Sequence, residues 1–449
     1  MTFDDIIAVI DRTAKNKGVK YHLNLLNFEE LKMESENSMI SSYESSRTSG
    51  FNMRLFEKNR VSFSYCMGLS EEKAKDTFDK AYSLLKYMDE NEYAGIAEKW
   101  EKNPSFNEKE LGIYSEERWQ IDIETKKAAL IDMEETAYAY DKRVYKVDKP
   151  TYTESFVEKR VINSNGLDLS SRKTFYEIFL SAAAKSENDT GSGFDFDFSH
   201  DFKSLKFKKT SMNAAKKGID QLGAVLAPSG KYNVIFDNFT SSEFLSLLKQ
   251  SFYSSNVYKK KSLLDGKIGQ KVFSDGIDII DDGLLRGGAS TDLFDAEGTP
   301  MQTKTLCASG VLNSFLFDME YASRFNLKST GNSATGSLMS PPDVGSTNFY
   351  IKHGDTPLID MIGGLKRGLY INELMGLHMA KPYTGEFSLG ASGFSIMNGK
   401  LDRPVKGIIV SGNLLRIFGR VVKLGDDLRF FGGVGSPSIL FEGINVSGK

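Results

Sequence analysis

The chain has 449 residues, with 57 Lys and Arg against 60 Asp and Glu and a formal net charge of -3. That length predicts two or three domains with at least one large core, and the near balance of charge argues against a dedicated nucleic-acid surface, which needs a basic stripe or domain. Two cysteines, Cys66 and Cys307, exclude a disulfide framework and a four-cysteine zinc module, while the acidic start at Asp4 and Asp5 and the lack of any apolar run near the roughly 18 residues of a membrane span point to a soluble, cytoplasmic protein.

Thr2, with Asp5 three residues on, predicts the cap of a first helix whose apolar stripe is Phe3, Ile6, Ile7 and Ile10 and whose stop is Gly18. Residues 50–56 and 60–66 read as two strands joined by the turn Glu57-Lys58-Asn59. Ser70 caps a second helix through Ala74, Phe78, Ala81, Leu85 and Met88, and Ser115 opens a third through Ile121, Ala128, Ile131 and Met133. A strand pair over 144–147 and 152–161 precedes a turn at 163–166. The polar stretch 186–199, with Gly191, Gly193 and alternating Asp and Phe, reads as a mobile loop or an edge strand. A helix over 212–226 ends at Pro228-Ser229-Gly230, and 232–236 is a buried strand. Residues 1–200 hold 8 of the 40 glycines and 2 of the 10 prolines, so the second half is expected to consist of many short strands and turns. The expected fold class is α+β. An N-terminal α+β domain over 1–210 has antiparallel strands and flanking helices, a helix and linker occupy 211–230, and a strand-rich C-terminal domain with few helices covers 231–449.

The common catalytic constellations are missing. None of His22, His200, His353 and His378 has a histidine three to five residues away, so there is no helical zinc pair. No phosphate loop and no nucleophile elbow occurs; Phe431-Gly432-Gly433-Val434-Gly435 reads as turn glycine. Asp281-Asp282-Gly283 reads as a turn, with Asp bonding the backbone and Gly at positive φ, in preference to a metal or acid pair. Thr240-Ser241-Ser242-Glu243 reads as a capping box for a core helix through Phe244, Leu245, Leu247, Leu248 and Phe252. His378, with Glu373 and Glu386 nearby, is the one candidate for acid–base work, and a structural or surface role is preferred. His353 reads as a turn residue and Cys307 as a buried, inert thiol.

Residues 382–394, Pro-Tyr-Thr-Gly-Glu-Phe-Ser-Leu-Gly-Ala-Ser-Gly-Phe, followed by Asn398-Gly399-Lys400, resemble the Pro-x-Thr-Gly-Asp-Phe-Ser-x-Gly-Ala-Ser-Gly-Phe signature of the TldD/PmbA family, with Glu386 in place of its Asp. Residues 163–167, 264–269, 281–283, 295–300, 329–332 and 437–439 resemble further family motifs in the family's order. The likeness is greatest to the PmbA (TldE) branch, whose members were labelled modulators of DNA gyrase. The resemblance implies a two-domain architecture. It also implies that TldD members are zinc peptidases with His-Glu-x-x-x-His on a helix and a Cys near the C-terminus, and that PmbA members lack these ligands and serve as the partner subunit. In this chain Leu245, Ser246 and Gln250 stand at the helix positions, and 433–438 contains no Cys.

The resemblance therefore implies a non-catalytic subunit that presents unfolded or extended peptide, without a cofactor of its own, zinc being supplied by a TldD-type partner. Two alternatives remain open: a stand-alone peptide-binding homodimer, and an autonomous hydrolase using His378. The expected partners are a TldD-type zinc peptidase subunit or a second copy, and a peptide, with neither nucleic acid nor membrane. The expected peptide contacts are Thr384, Gly385, Gly390, Ala391, Ser392, Gly393 and His378. These glycines either open the backbone to strand addition by a peptide or only make turns and close packing.

Overall fold

Apolar and polar residues alternate from Lys20 to Leu25, and the chain forms strands much longer than the usual five or six residues. In the computed structural model, which describes residues 1–100 and 106–448, α1 (Phe3–Lys17) precedes β1 (Lys20–Glu36), β2 (Met39–Glu57) and β3 (Arg60–Met67). Then come α2 (Glu71–Leu85), α3 (Ile123–Tyr140), β4 (Val144–Asn163), β5 (Asp168–Lys185), β6 (Thr190–Ser199) and α4 (Phe207–Asp220). The six strands make one antiparallel sheet in the order β3-β2-β1-β4-β5-β6.

Side chains on a strand alternate between faces, and here the two faces have different chemistry. On one, Tyr21, Leu23 and Leu25 of β1 and Met53 and Leu55 of β2 bury against Ile6, Ile10 and Phe78 of α1 and α2. Farther along that face, Met33, Tyr152 and Ile178 meet Leu130, Met133 and Ala214 of α3 and α4. The other face is polar: His22 stands opposite Arg54, Asn24 opposite Asn52 and Leu26 opposite Lys159, while Lys173 lies one strand further out, opposite Val157. The helices cover the apolar face and leave the polar one to the second half of the chain.

Local signals predict some elements well. Thr2 and Asp5 form the capping box of α1, and Gly18 takes the left-handed conformation at its end. Lys58 and Asn59 both take positive φ, forming the two-residue turn that suits a twisted hairpin. Other elements differ from expectation. Helix α2 ends at Leu85, short of Met88. Ser115 caps only the 3-10 turn Glu116–Trp119, and α3 starts separately from Asp122, so the expected third helix is two elements. The expected strand pair over 144–161 is a single strand, β4, bent at a bulge where Lys149 takes φ 45. Stretch 186–199 carries the edge strand β6, with α4 packed tightly over it: a Cβ on Gly193 would stand 2.4 Å from Lys217 Cβ. Helix α4 starts and ends earlier than 212–226, and Gly223 at φ 73 turns the chain away after it.

The second half opens with β7 (Gly230–Phe236), the expected buried strand, and α5 (Asn238–Lys249). Next come β8 (Ile279–Asp282), β9 (Thr303–Ala308), β10 (Val311–Leu312), β11 (Ser333–Ala334), β12 (Asp343–Val344) and β13 (Asn348–Ile351). The chain finishes with β14 (Arg367–Met375), β15 (Glu386–Met397), β16 (Lys400–Asn413), β17 (Val421–Leu424), β18 (Arg429–Phe431), β19 (Val434–Ser436) and β20 (Ile439–Ser447). Strands β16-β15-β14-β7-β20 form a sheet that closes on itself through β16–β20 pairing, a five-stranded barrel without free edges along that ring. A second sheet runs β10-β9-β8-β13-β19-β18. Helix α5 packs against strands of both, with Phe244, Leu245 and Leu248 fully buried in the shared core. The fold is α+β, as expected, and no helix among the described residues is long and apolar enough to cross a membrane.

Candidate functional site

The cap of α5 is Asp237, whose Oδ1 accepts from Thr240 N at 2.7 Å, so 240–243 lies inside the helix and is not the capping box expected. Leu245 points into the core and is fully buried. Ser246 Oγ donates to Glu243 O at 2.6 Å, and Gln250 begins the 3-10 turn Gln250–Phe252. Helix α5 packs on β19 (Val434–Ser436), so the helix of the resemblance lies against the C-terminal stretch. Their chemistry does not fit zinc, whose catalytic sites need three N, O or S ligands from the protein. Leu245 has no donor atom, Ser246 is tied to its own helix, and Ser436 Oγ donates to Pro437 O. Among the described residues no group of three or more His, Cys, Asp or Glu is placed to hold a metal.

Two turns before Gln250 lies Glu243, which the sequence reading assigned to a capping box and not to a functional site. Its Oε2 is buried without a partner. Burial first, and then the carboxylates of Asp237 and Glu373, push it up to about 7 against the opposing charge of Lys217.

The signature segment is built into the barrel. Gly390 lies opposite Met375 on β14 and Ile409 on β16, and Ala391 and Gly393 are paired on both sides as well. Ser392 stands opposite Glu373. A peptide therefore finds no free ladder edge on β15. Gly393 is required by packing: a Cβ there would lie 1.9 Å from the Tyr370 carbonyl oxygen. Thr384 and Gly385, the latter at φ 76, form the turn before β15, which Asn413 Nδ2 ties down by donating to Thr384 O at 2.9 Å. Glu386 accepts from the same amide at 3.0 Å, and Glu373 accepts from Gln221 Nε2 at 2.9 Å. His378 sits exposed on the 3-10 turn Leu377–Met379, and neither carboxylate orients it.

The remaining candidates resolve as structural. Buried Asp281 accepts from Thr347 N at 2.6 Å and pairs with Lys304 at 2.8 Å, and Asp282 accepts from Leu284 N across the expected turn. Gly283 does not take positive φ there, contrary to expectation, and a Cβ on it would crowd Met301. His353 is exposed beside the carbonyl of Gly354. The Cys307 thiol is buried and pushed up to about 12.

A site that sequence reasoning missed lies between the two halves. The polar face of the first sheet and the loops after β8, β10 and β11 enclose a cavity of about 420 Å³. His22 Nε2 donates to Ala296 O at 2.9 Å, Asn24 Nδ2 to Asn52 Oδ1 at 3.1 Å, and Asn52 Nδ2 to Leu338 O at 3.3 Å. Lys159 Nζ donates to Asp292 Oδ2 at 2.9 Å and to Phe294 O at 3.1 Å, and Lys173 Nζ lies 3.1 Å from the same Oδ2. Burial raises the Asp292 carboxyl, but the two ammoniums outweigh it and hold the group well below the usual carboxylate range. Burial pulls Lys173 below the usual lysine range, with Asp292 opposing.

In chain order, residues 29–85 match the PmbA/TldA metallopeptidase domain 1, 116–222 its central domain and 229–448 its C-terminal domain. The chain is 27% identical over 442 residues to an uncharacterised protein of Methanocaldococcus jannaschii, covering 96% of this chain and 97% of that one. It is 28% identical over 393 residues to a metalloprotease PmbA homologue of Buchnera aphidicola subsp. Baizongia pistaciae, covering 87% and 84%. The crystal structure of a Thermotoga maritima protein, described as a candidate modulator of a DNA gyrase, superposes with a TM-score of 0.90 over 99% of this chain and 100% of that one, at 25% identity. With all three domains of one family present in that family's order, the chain belongs to the PmbA/TldD family.

Proposed function

We propose that this chain is the non-catalytic subunit of a PmbA/TldD-type peptidase, holding unfolded or extended peptide while a TldD-type partner supplies the zinc. One observation carries this reading: Leu245, at the position the resemblance gives to the first histidine ligand, is fully buried in the core that α5 shares with both C-terminal sheets. A side chain so held supplies neither a metal ligand nor a base. The place offered to a peptide is the cavity between the halves, where the amides of Asn24 and Asn52 and the ammoniums of Lys159 and Lys173 line the sheet wall and loops carrying hydroxyl, amide and carboxylate groups line the other. Contacts of that kind read little of a peptide's sequence, which suits a protein that takes many unfolded chains.

The test is cleavage of an unstructured polypeptide by this chain alone, by a TldD-type partner alone and by the two together. Cleavage by the mixture only, unchanged by His378→Ala, is expected. Cleavage by this chain alone, abolished by His378→Ala, overturns the reading in favour of an autonomous hydrolase.

A further inference from the structure

We propose that the cavity between the halves is a carboxylate site, in which Lys159 and Lys173 receive the C-terminal carboxylate of a short extended peptide; this rests on the peptide-binding reading above. The first argument is charge. Two ammoniums converge on one oxygen of one carboxylate, Asp292 Oδ2. Lys159, Lys173 and Asp292 together carry one net positive charge, in a place where side chains are largely withdrawn from water, and Asp295, which lines the same cavity, does not cancel it in full because burial and the charge of Glu297 favour its neutral form. A buried charge of that kind is stabilised by a counter-ion, and a monoanion neutralises it. A phosphate dianion would leave the site negative.

The second argument is unused hydrogen-bonding capacity. Each ammonium has three N–H donors. Lys159 uses two, on Asp292 and Phe294 O, and rests over the Phe294 ring with its nitrogen 4.3 Å from the centroid. Lys173 has Asp292 as its anionic partner among the described residues, which leaves donors for a ligand. Ser333, on β11, also lines the cavity. It is 4% exposed and its hydroxyl has no hydrogen-bond partner. A buried hydroxyl left without a partner is costly, and a ligand oxygen or N–H is what it lacks.

The third argument is the character of the walls. Leu26, Met301 and Leu338 line the cavity beside the lysines. Apolar wall next to a cationic end suits a peptide terminus, which carries a side chain on the carbon next to its carboxylate. The volume of about 420 Å³ falls within the range of roughly 300–1,000 Å³ typical of clefts that enclose small ligands.

The experiment is calorimetric titration of the full chain with Ala-Leu-Ala-Leu as the free acid, with the same peptide as its C-terminal amide, and with inorganic phosphate. The free acid is expected to bind at least tenfold more tightly than the amide. In Lys173→Met the acid should fall to the affinity of the amide, while the amide binds as before. A purely structural lysine would not move that ratio. Lys159→Met reads the same ratio if Lys173→Met fails to fold in a thermal melt. Equal affinity for acid and amide in the unaltered protein overturns the carboxylate site and leaves the peptide-binding reading standing. Phosphate bound more tightly than the free acid, and lost in Lys173→Met, overturns it in favour of a phosphate site. Failure of both peptides to bind also overturns it, and the cleavage assay with the partner then decides the wider reading separately.

Discussion

Replacing Glu243 with Gln is expected to stabilise the protein above pH 7 and to change little at pH 5. Glu243 is on α5, facing Asp237 at the helix cap, Glu373 on β14 and Lys217 on α4. Burial and the two carboxylates push it up to about 7, from 4.5 in the open chain. Because its folded-state pKa is raised, the folded protein holds this proton more tightly than the unfolded chain does. Below pH 4.5 both states are protonated and there is no penalty. Between 4.5 and 7 the unfolded chain ionises first and stability falls; above 7 the loss is complete. The full displacement corresponds to about 3 kcal/mol. The residue is partly exposed, and solvent screening reduces this to about 1–2 kcal/mol. Glutamine keeps the shape, removes the charge and can donate to the neighbouring carboxylates. Urea unfolding at pH 8 should therefore show a gain of about 1–2 kcal/mol, shrinking to a few tenths at pH 5. No gain at pH 8, or an equal gain at both pH values, would refute the charge argument.

Two further changes separate packing from chemistry in the family-specific segments. Leu245→Ala, at a fully buried position, should cost about 2–5 kcal/mol in urea unfolding; a loss under 1 kcal/mol would mean that α5 is not seated in the core. Gly393→Ala brings a Cβ to 1.9 Å from the Tyr370 carbonyl and should lower the melting temperature by the equivalent of about 3 kcal/mol or more. Valine at Gly390 and Gly393 would therefore report on the barrel, not on peptide binding.

Legibility in the sequence followed the range of the signal. The α1 cap and the turn at Lys58 and Asn59 are set by residues within four positions of each other, and they read directly. Strand β1 did not, because Leu26-Asn27-Phe28-Glu29-Glu30-Leu31 mixes charge and apolar character without a clean period, and its pairing with β2 and β4 fixes it. The family was legible from 382–394, where Gly390 and Gly393 stand against β14 and Gly385 makes the turn before β15. The cavity draws on strands near residues 24, 52, 159 and 173 and on loops from 290 to 347. Its local trace is the alternation of His22 and Asn24 with Tyr21, Leu23 and Leu25, which marks a polar face. Nothing nearby in the sequence tells what that face meets.

The polar face also fastens the two halves together, and Arg54 tests how. Its Nη1 bonds Glu297 Oε1 at 2.8 Å, with the two side chains 14% and 3% exposed. Glu297 Oε2 accepts from Met319 N at 2.9 Å. Asp295, two residues away, is itself raised by burial and by the charge of Glu297. Arg54→Met keeps much of the apolar stem and removes the only cation shown bonded to Glu297 among the described residues. It leaves a buried carboxylate beside another, at a cost of about 3–5 kcal/mol. The contact joins β2 to the loop before β9, so the loss belongs to the joint between the halves and not to either core. If the orphaned charge is the cause, Arg54→Met combined with Glu297→Gln should recover most of the stability in urea unfolding, because both partners are then uncharged. A double variant no more stable than Arg54→Met would place the cost in the packing of the arginine and not in the carboxylate it leaves behind.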